Sequence, residues 1–462
     1  MNVYDSGQIL KMMRCDNYKS TSSFANADLI IVNTCAIREK AVQKVYSFLG
    51  RLSGLKKENA DLIIVVAGCV AQQQGSKLVK RFPHVDIVLG THAIYQLPDL
   101  LLEVKNKRHS IVEIKMSNHI DELESARGML PQTHEVSSEV SSFVTIMRGC
   151  DNYCTYCVVP YVRGREVSRK PDLIVSEIKD LVHGGVKEVT LLGQNVNSYG
   201  VKEGLTSFPD LLALVNEIKG LDRIRFVTSH PKDLSDQLIE AFVKLDKLCN
   251  HIHLPVQSGS NRILKKMNRK YTRESYLEKI KKLRDVMPEI AMTTDIIVGF
   301  PGETDEDFEQ TIELIKTVQF DGLYSFEYSD RPEAPATHFS DKVESEIKKS
   351  RLQTLLKLQA EIATKKHRFL VGRIFPVLVE GISKNQRKKI SASSSLEICG
   401  RTPENRIVNF DCPPHWGLDI GSLKGQIINI KIEKVFSNSL RGTPVDNQGR
   451  RLKLKGAHLN VA

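Results

Sequence analysis

Three closely spaced cysteines define the chemistry that this sequence can support. Cys150, Cys154 and Cys157 stand as CxxxCxxC within RGCDNYCTYCVVPYVRGRE, near enough in the chain to share one metal centre. A cubane iron-sulphur cluster normally takes four cysteine ligands, so a local set of three leaves one iron open to bind something else. An open iron is a reaction site. Spacing alone leaves other readings open: zinc with a distant fourth ligand, a CxxC redox pair, or thiols that merely pack in a core. Zinc ribbons usually present two CxxC pairs, and the chain has no second one.

The cysteine stretch comes after a strand-like run at 143–147. Five more such runs come at 188–192, 224–228, 251–256, 292–298 and 322–328, alternating with amphipathic helical stretches. This alternation predicts a parallel sheet curled into a full or partial βα barrel, with its site at the carboxyl ends of the strands. The suggestive residues stand where that rule puts them. Gly193-Gln194-Asn195 comes after the second run, Ser229-His230-Pro231 after the third and Gln257-Ser258-Gly259 after the fourth. The fifth enters IIVGFPGE, where Gly299 and Gly302 would let backbone approach a ligand closely. Any one of these is equally well a tight turn; together on one rim they predict a binding face.

Ahead of this barrel the pattern reads as an open parallel α/β unit, with strand-like runs at 29–32, 62–66 and 85–89. Cys35 and Cys69 each fall where a strand gives way to a helix. Binding crevices of open parallel sheets lie beyond the strands' carboxyl ends, so the two can face one crevice. The alternative is that both are small buried hydrophobes. Cys15, Cys249, Cys399 and Cys412 have no such placement and are read as structural.

At 462 residues the chain has room for about three domains, and 41% hydrophobic residues can give each a core. Nine cysteines, an odd number in a chain without an export signal, point to ligands rather than disulfides and to a reducing, cytoplasmic setting. No apolar stretch approaches the roughly 18 residues that would cross a membrane. Nothing signals oligomerisation, so a monomer is expected. A net charge of +11 favours a polyanionic partner, with ten Lys or Arg against three acids between residues 262 and 285. A solvated basic face is the alternative.

Residues 118–142 are polar and aperiodic, a linker. Residues 341–370 read as a charged helix joining the barrel to a segment of short alternating runs, 371–439, that predicts a small β-barrel. Its loops are basic, with Lys384, Arg387, Lys388, Lys389, Arg401 and Arg406, and such barrels commonly hold RNA. Residues 440–462 read as a basic tail.

The motifs NTCAIREKA, AGCVAQQ, RGCDNYCTYCVVPYVRGRE, LLGQNVNSYG, HLPVQSGSNRILKKMNRKYT and TDIIVGFPGETDEDF resemble, in order and spacing, those of the radical S-adenosylmethionine methylthiotransferases. The match covers almost the whole chain, and its wording is closest to the branch acting on N6-isopentenyladenosine beside the anticodon of tRNA. The resemblance implies an N-terminal α/β domain over 1–117, a radical-SAM (βα)6 partial barrel over 143–340 and an RNA-binding TRAM barrel over 371–439.

It also implies two 4Fe-4S clusters. Cys150, Cys154 and Cys157 would hold one, whose open iron chelates S-adenosylmethionine and splits it to a 5′-deoxyadenosyl radical that takes hydrogen from C2 of the adenine. Tyr156, Gln194, Ser229, Asp295 and Gly299 would bind that cofactor. Cys35 and Cys69 match two of three ligands of a second, sulphur-donating cluster, and a second S-adenosylmethionine methylates the donated sulphur. The family's third ligand precedes a Gln-Met-Asn step on a first strand. Met1-Asn2-Val3-Tyr4 resembles the residues just past that step, so that strand and its cysteine are expected upstream of residue 1; recruitment of Cys15, or loss of the second cluster, are the other outcomes. Arg262, Lys265, Lys266, Arg269, Lys270, Arg387, Lys388, Lys389 and Arg401 would grip the anticodon stem-loop, mostly through phosphates. An electron donor and a sulphur source are required and are not identified by the sequence. Two other functions remain in play: methylthiolation of another target, either threonylcarbamoyl-adenosine or a ribosomal-protein aspartate, and non-catalytic RNA binding with a structural metal.

Overall fold

The computed structural model describes residues 1–36, 39–107, 109–116, 139–383, 396–412, 420–446 and 448. Most of the linker, at 118–138, and the basic residues Arg387, Lys388 and Lys389 lie outside them.

Four parallel strands, Leu29–Thr34, Ile63–Gly68, Ile87–Leu89 and Ile111–Glu113, pair in chain order. The fourth was not anticipated, because three residues are too few to display a period. Ile63–Gly68 is buried along its whole length, as an inner parallel strand with both faces covered must be. Ile63 and Val65 pack beneath the helices Asn2–Cys15 and Leu97–Lys107. Ile64 and Val66 pack beneath Leu49 and Leu52 of the helix Glu39–Glu58.

The six expected barrel strands form as two parallel three-stranded sheets. Ser141–Thr145, Glu188–Leu192 and Arg223–Phe226 make one; His251–His253, Ala291–Val298 and Gly322–Glu327 make the other. A parallel bridge from Ile224 to Leu248 joins them into one partial barrel. The first strand starts at Ser141, inside the stretch read as linker, because its pairing with Glu188 and Val189 recruits two serines that carry no apolar signal. The helix Ser345–Arg368 straps the barrel through Leu355 and Ile362.

Five strands then close a small barrel in the order Ile374–Ile382, Leu396–Arg401, Ile407–Cys412, Leu440–Pro444, Ile427–Val435. The fourth of these corrects the reading of 440–462 as a tail. Its inward positions are Leu440, Gly442 and Pro444, so two of the three show no hydrophobic alternation in the sequence. Among the described residues, no helix is long and apolar enough to cross a membrane.

Candidate active site and cluster loop

The cysteine loop is pinned before any ligand is considered. Gly149 has φ +74°, and a Cβ there would meet the Arg165 carbonyl oxygen at 1.9 Å, so only glycine lets the chain turn into Cys150 beside the returning strand Val167–Ser168. Thr155 donates its N–H to Met267 O at 3.1 Å and its hydroxyl to Lys266 O at 2.9 Å. Asn268 Nδ2 donates to Tyr153 O at 2.9 Å. The turn at 266–269 thus holds the loop from Tyr153 to Thr155, and Cys157 N closes the next turn on Cys154 O at 3.0 Å.

The thiols sit in a dry cradle. Burial pushes Cys150 up to about 11, and burial with the neighbouring Cys154 pushes Cys157 up to about 12. These shifts favour the protonated thiols of Cys150 and Cys157, and iron must displace their protons on binding, which couples loading to pH. Among the described residues no three Cys, His, Asp or Glu side chains converge as a single-ion site. A cubane distributes its thiolates over separate irons.

The rim beside the loop is polar, buried and under-bonded. Both carboxamide atoms of Gln194 and Asn197, Asn195 Oδ1, Ser229 Oγ and His230 Nε2 are buried without a hydrogen-bond partner. Such atoms cost stability unless something satisfies them, so seven on adjacent loops fit a ligand with many donors and acceptors, as S-adenosylmethionine is. The loops are tied together: Val196 N donates to Thr228 O at 3.0 Å, and Lys232 Nζ to Asn152 Oδ1 at 2.9 Å. Thr228 and Gln257, just past the third and fourth strands, have φ of +71° and +72°. Left-handed backbone in a β-branched residue is strained, and such strain concentrates at functional sites.

Several expected site residues find these places, and others do not. Tyr156 packs against Phe300 and Tyr328, and its phenol is pushed up by burial. Asp295 lies 3.5 Å from His253 Nε2. Gly299 has φ +68°, its N–H donates to Glu303 Oε2, and the side a Cβ would occupy is taken by Lys348 of the strapping helix at 2.1 Å, so the packing here requires glycine. Gly302 is likewise filled, by Asp341 and Lys266.

Arg269 is corrected. It is only 4% exposed and points to the cysteine loop, donating to Cys154 Sγ at 3.4 Å and Tyr156 Oη at 3.3 Å, so it is not available to RNA. Arg262 pairs with Asp307, Lys266 with Asp341 at 2.6 Å and Arg401 with Glu380 at 2.8 Å. Lys265 and Lys270 are exposed.

Sequence reasoning placed His230 on the binding rim without a chemical role and assigned none to Asn197 or Glu166. Burial, with the nearby charge of Arg269 and Lys232, holds His230 well below its ordinary pKa, and its Nδ1 accepts from Lys232 N at 3.2 Å. It is a neutral imidazole with its second nitrogen protonated. Burial also raises Glu166 to about 7, against a hydrogen bond from Ser198. A polar residue becomes informative only once it is known to be buried.

Cys35 and Cys69 come together as the parallel register dictates. Thr34 pairs with Gly68, so the next residue of each strand lies at the same sheet edge. Cys69 is buried, which raises its thiol pKa, and the positive charge of Arg163 lies against it. Cys69, Ala36 and Val70 pack on Val158 and Val162, just beyond Cys157 in the chain, and on Ala334. The same seam carries an Arg163–Asp5 ion pair at 2.8 Å and a Thr91 hydroxyl bond to Val162 O at 2.6 Å. A cavity of about 60 Å³ lined by Asp5, His92, Arg148 and Arg163 lies along it.

Cys15 does not join this pair. Residues Asn2, Asp5 and Ser6 at the start of the helix Asn2–Cys15 touch Asn33 and Arg163, and Cys15 ends that helix, about 15 Å from Asp5 at 1.5 Å per residue.

Three family models match successive parts of the chain. The Radical SAM superfamily model matches residues 144–315, the Uncharacterized protein family UPF0004 model residues 1–90 and the TRAM domain model residues 368–445. A tRNA-2-methylthio-N(6)-dimethylallyladenosine synthase of Desulfosudis oleivorans is 51% identical over 446 residues, covering 96% of this chain and 94% of that one. Proteins of the same name from Syntrophus aciditrophicus and Syntrophotalea carbinolica are 48% and 47% identical, each over 96% of this chain and over 92% and 97% of their own. Among solved structures, the radical S-adenosylmethionine methyltransferase TsrM from Kitasatospora setae aligns with a TM-score of 0.48 at 15% identity, over 71% of this chain and 68% of that one. The chain therefore belongs to the radical S-adenosylmethionine methylthiotransferase family, among relatives named tRNA-2-methylthio-N(6)-dimethylallyladenosine synthase.

Proposed function

We propose that this protein attaches a methylthio group to C2 of N6-isopentenyladenosine beside the anticodon of tRNA. The observation that carries the reading is the packing of the Cys35–Cys69 edge against the helix Val159–Arg163, which continues the cysteine loop. A sulphur-donating site and a radical-generating site then share one seam, which an ordinary radical enzyme does not need.

When bound, a 4Fe-4S cluster and S-adenosylmethionine supply a one-electron cleavage whose carbon radical takes hydrogen from a carbon too inert for polar chemistry. Cys150, Cys154 and Cys157 would hold that cluster, and three ligands would leave one iron open for the cofactor. Gln194, Asn197 and Ser229 satisfy their buried polar atoms on the cofactor, and the neutral His230 offers it an N–H. Their burial keeps water from quenching the radical. Cys35 and Cys69 would hold a second cluster, with a further ligand, which would supply the sulphur. Lys265, Lys270 and the basic loops of the C-terminal barrel engage RNA phosphates, so binding weakens steeply as salt rises.

Nucleoside mass spectrometry of tRNA from a deletion strain tests the reading. The expected result is loss of the methylthio group from isopentenyladenosine alone, restored by the wild-type protein and not by its Cys154→Ala variant. Loss from threonylcarbamoyl-adenosine instead, or no change in any tRNA nucleoside, overturns it.

A further inference from the structure

A buried positive charge needs a negative partner, and Arg269 has none among the described residues. Its guanidinium donates Nε to Tyr271 Oη at 2.9 Å, Nη1 to Cys154 Sγ at 3.4 Å and Tyr156 Oη at 3.3 Å, and Nη2 to Pro255 O at 2.7 Å. Its partners are two phenols, a carbonyl and a thiol; among the described residues no carboxylate pairs with it. Enclosing an arginine to this degree without an anion is costly, since hydrogen bonds to neutral groups recover only part of the lost hydration. Tyr271 keeps its own proton in a hydrogen bond to Val256 O at 2.8 Å.

The one partner that can become anionic is Cys154, and it does so when it ligates iron. A cluster held by three thiolates carries net negative charge, and reduction adds another electron's worth. We propose that Arg269 is a positioning residue that tunes the radical cluster, holding the Cys154 sulphur by a charge-assisted hydrogen bond and favouring the reduced state. Cluster potentials respond to hydrogen bonds on the ligating sulphurs, to local charge and to burial, and this site combines all three.

The geometry explains why an arginine is needed. Tyr271 is itself anchored, donating its hydroxyl to Val256 O at 2.8 Å, and Pro255 and Val256 come directly after Leu254, whose N–H pairs with Thr293 O on the barrel's fifth strand. The fork therefore transmits the position of the barrel wall to one cluster ligand. A lysine keeps the charge but has no planar fork to reach sulphur, phenol and carbonyl together. The bland alternative is that Arg269 only latches the loop, as Thr155 and Asn268 do, with no influence on electron affinity.

The test uses the anaerobically reconstituted protein and neither RNA nor turnover, so its outcome is independent of the tRNA assignment. Wild type, Arg269→Lys and Arg269→Met are matched for iron and sulphide content. Each is then poised across a redox titration while the electron paramagnetic signal of the reduced cluster is monitored. A hydrogen bond to a charged group is worth about a factor of ten in an equilibrium. The reduced-to-oxidised ratio of Arg269→Met at fixed poise is therefore expected to fall about tenfold, a midpoint about 59 mV more negative for a one-electron couple. Arg269→Lys is expected between the two.

A loaded Arg269→Met with the wild-type midpoint overturns the proposal. Should that variant fail to load, Arg269→Lys decides: a midpoint below wild type supports the tuning role, and an unchanged one overturns it. Failure of both to load reduces Arg269 to a latch and overturns it as well.

Discussion

Cys69 owes its place to a threonine. The Thr34 hydroxyl donates to Ala67 O at 2.6 Å and accepts from Val70 N at 3.1 Å, stitching the end of one strand to the turn after the next. Gly68 makes that turn possible at φ +91°, with Thr34 O only 2.5 Å from where a Cβ would stand. The two thiols thus meet at one edge through backbone register and one hydroxyl, while Cys15 lies at the far end of its helix. Cys69→Ala is expected to lower iron by up to about four per chain, one cubane's worth. Cys15→Ala should leave iron unchanged. Iron analysis after anaerobic reconstitution checks both, and an equal loss in the two variants would make Cys15 a ligand.

The element that holds the rim's far side is the helix Asp305–Val318. Thr304 caps it, and Asp307 completes a reciprocal capping box. Asp307 also accepts from Ser260 Oγ at 2.6 Å and from Arg262, so one carboxylate ties this helix to the start of the helix Asn261–Lys266. Burial opposes its ionisation, but hydrogen bonds from Arg262, Ser260 and Thr304 outweigh it and hold the pKa to about 2 instead of 3.8. A depressed carboxyl stabilises the fold above its ordinary pKa and ceases to as pH falls through the native one. Wild type should therefore exceed Asp307→Asn by about 2 kcal/mol near pH 5, narrowing toward zero near pH 2. Urea unfolding at the two pH values measures the gap; one that does not narrow would mean that charge is not its source.

Across the whole molecule, the C-terminal barrel is fastened to the floor of the central one, at the ends of its strands opposite the cysteine loop. Arg223 donates to Arg401 O and Pro376 O at 2.6 and 2.8 Å, and Arg225 to Thr402 O and Pro403 O at 2.7 and 2.8 Å. Arg225 also pairs with the buried Glu188 at 2.8 Å. These bonds tie residues 401–403 to the base of the central barrel. Arg225→Ala leaves Glu188 buried and unpaired, which should cost about 3–5 kcal/mol. Thermal melting is expected to fall accordingly, and protease should cut the connection at 369–373 faster. Pairing the change with Glu188→Gln should recover part of the loss; no recovery would place the cost elsewhere.

The sequence by itself determined the cysteine loop, the six-strand alternation and the strand ends on which Gln194, Ser229, Cys35 and Cys69 stand. Each is a local property: ligand spacing, side-chain period and chain order are written residue by residue. The strands Ile111–Glu113 and Leu440–Pro444 escaped because one is too short to have a period and the other turns Gly442 and Pro444 inward. Only the tertiary structure decided the direction of the long charged side chains. Arg269, Arg262 and Lys266 look alike in a basic run, yet one enters the cysteine loop and the others pair with acids. A flexible cationic side chain takes its partner from what packs around it, and those neighbours lie up to 115 residues away in the chain.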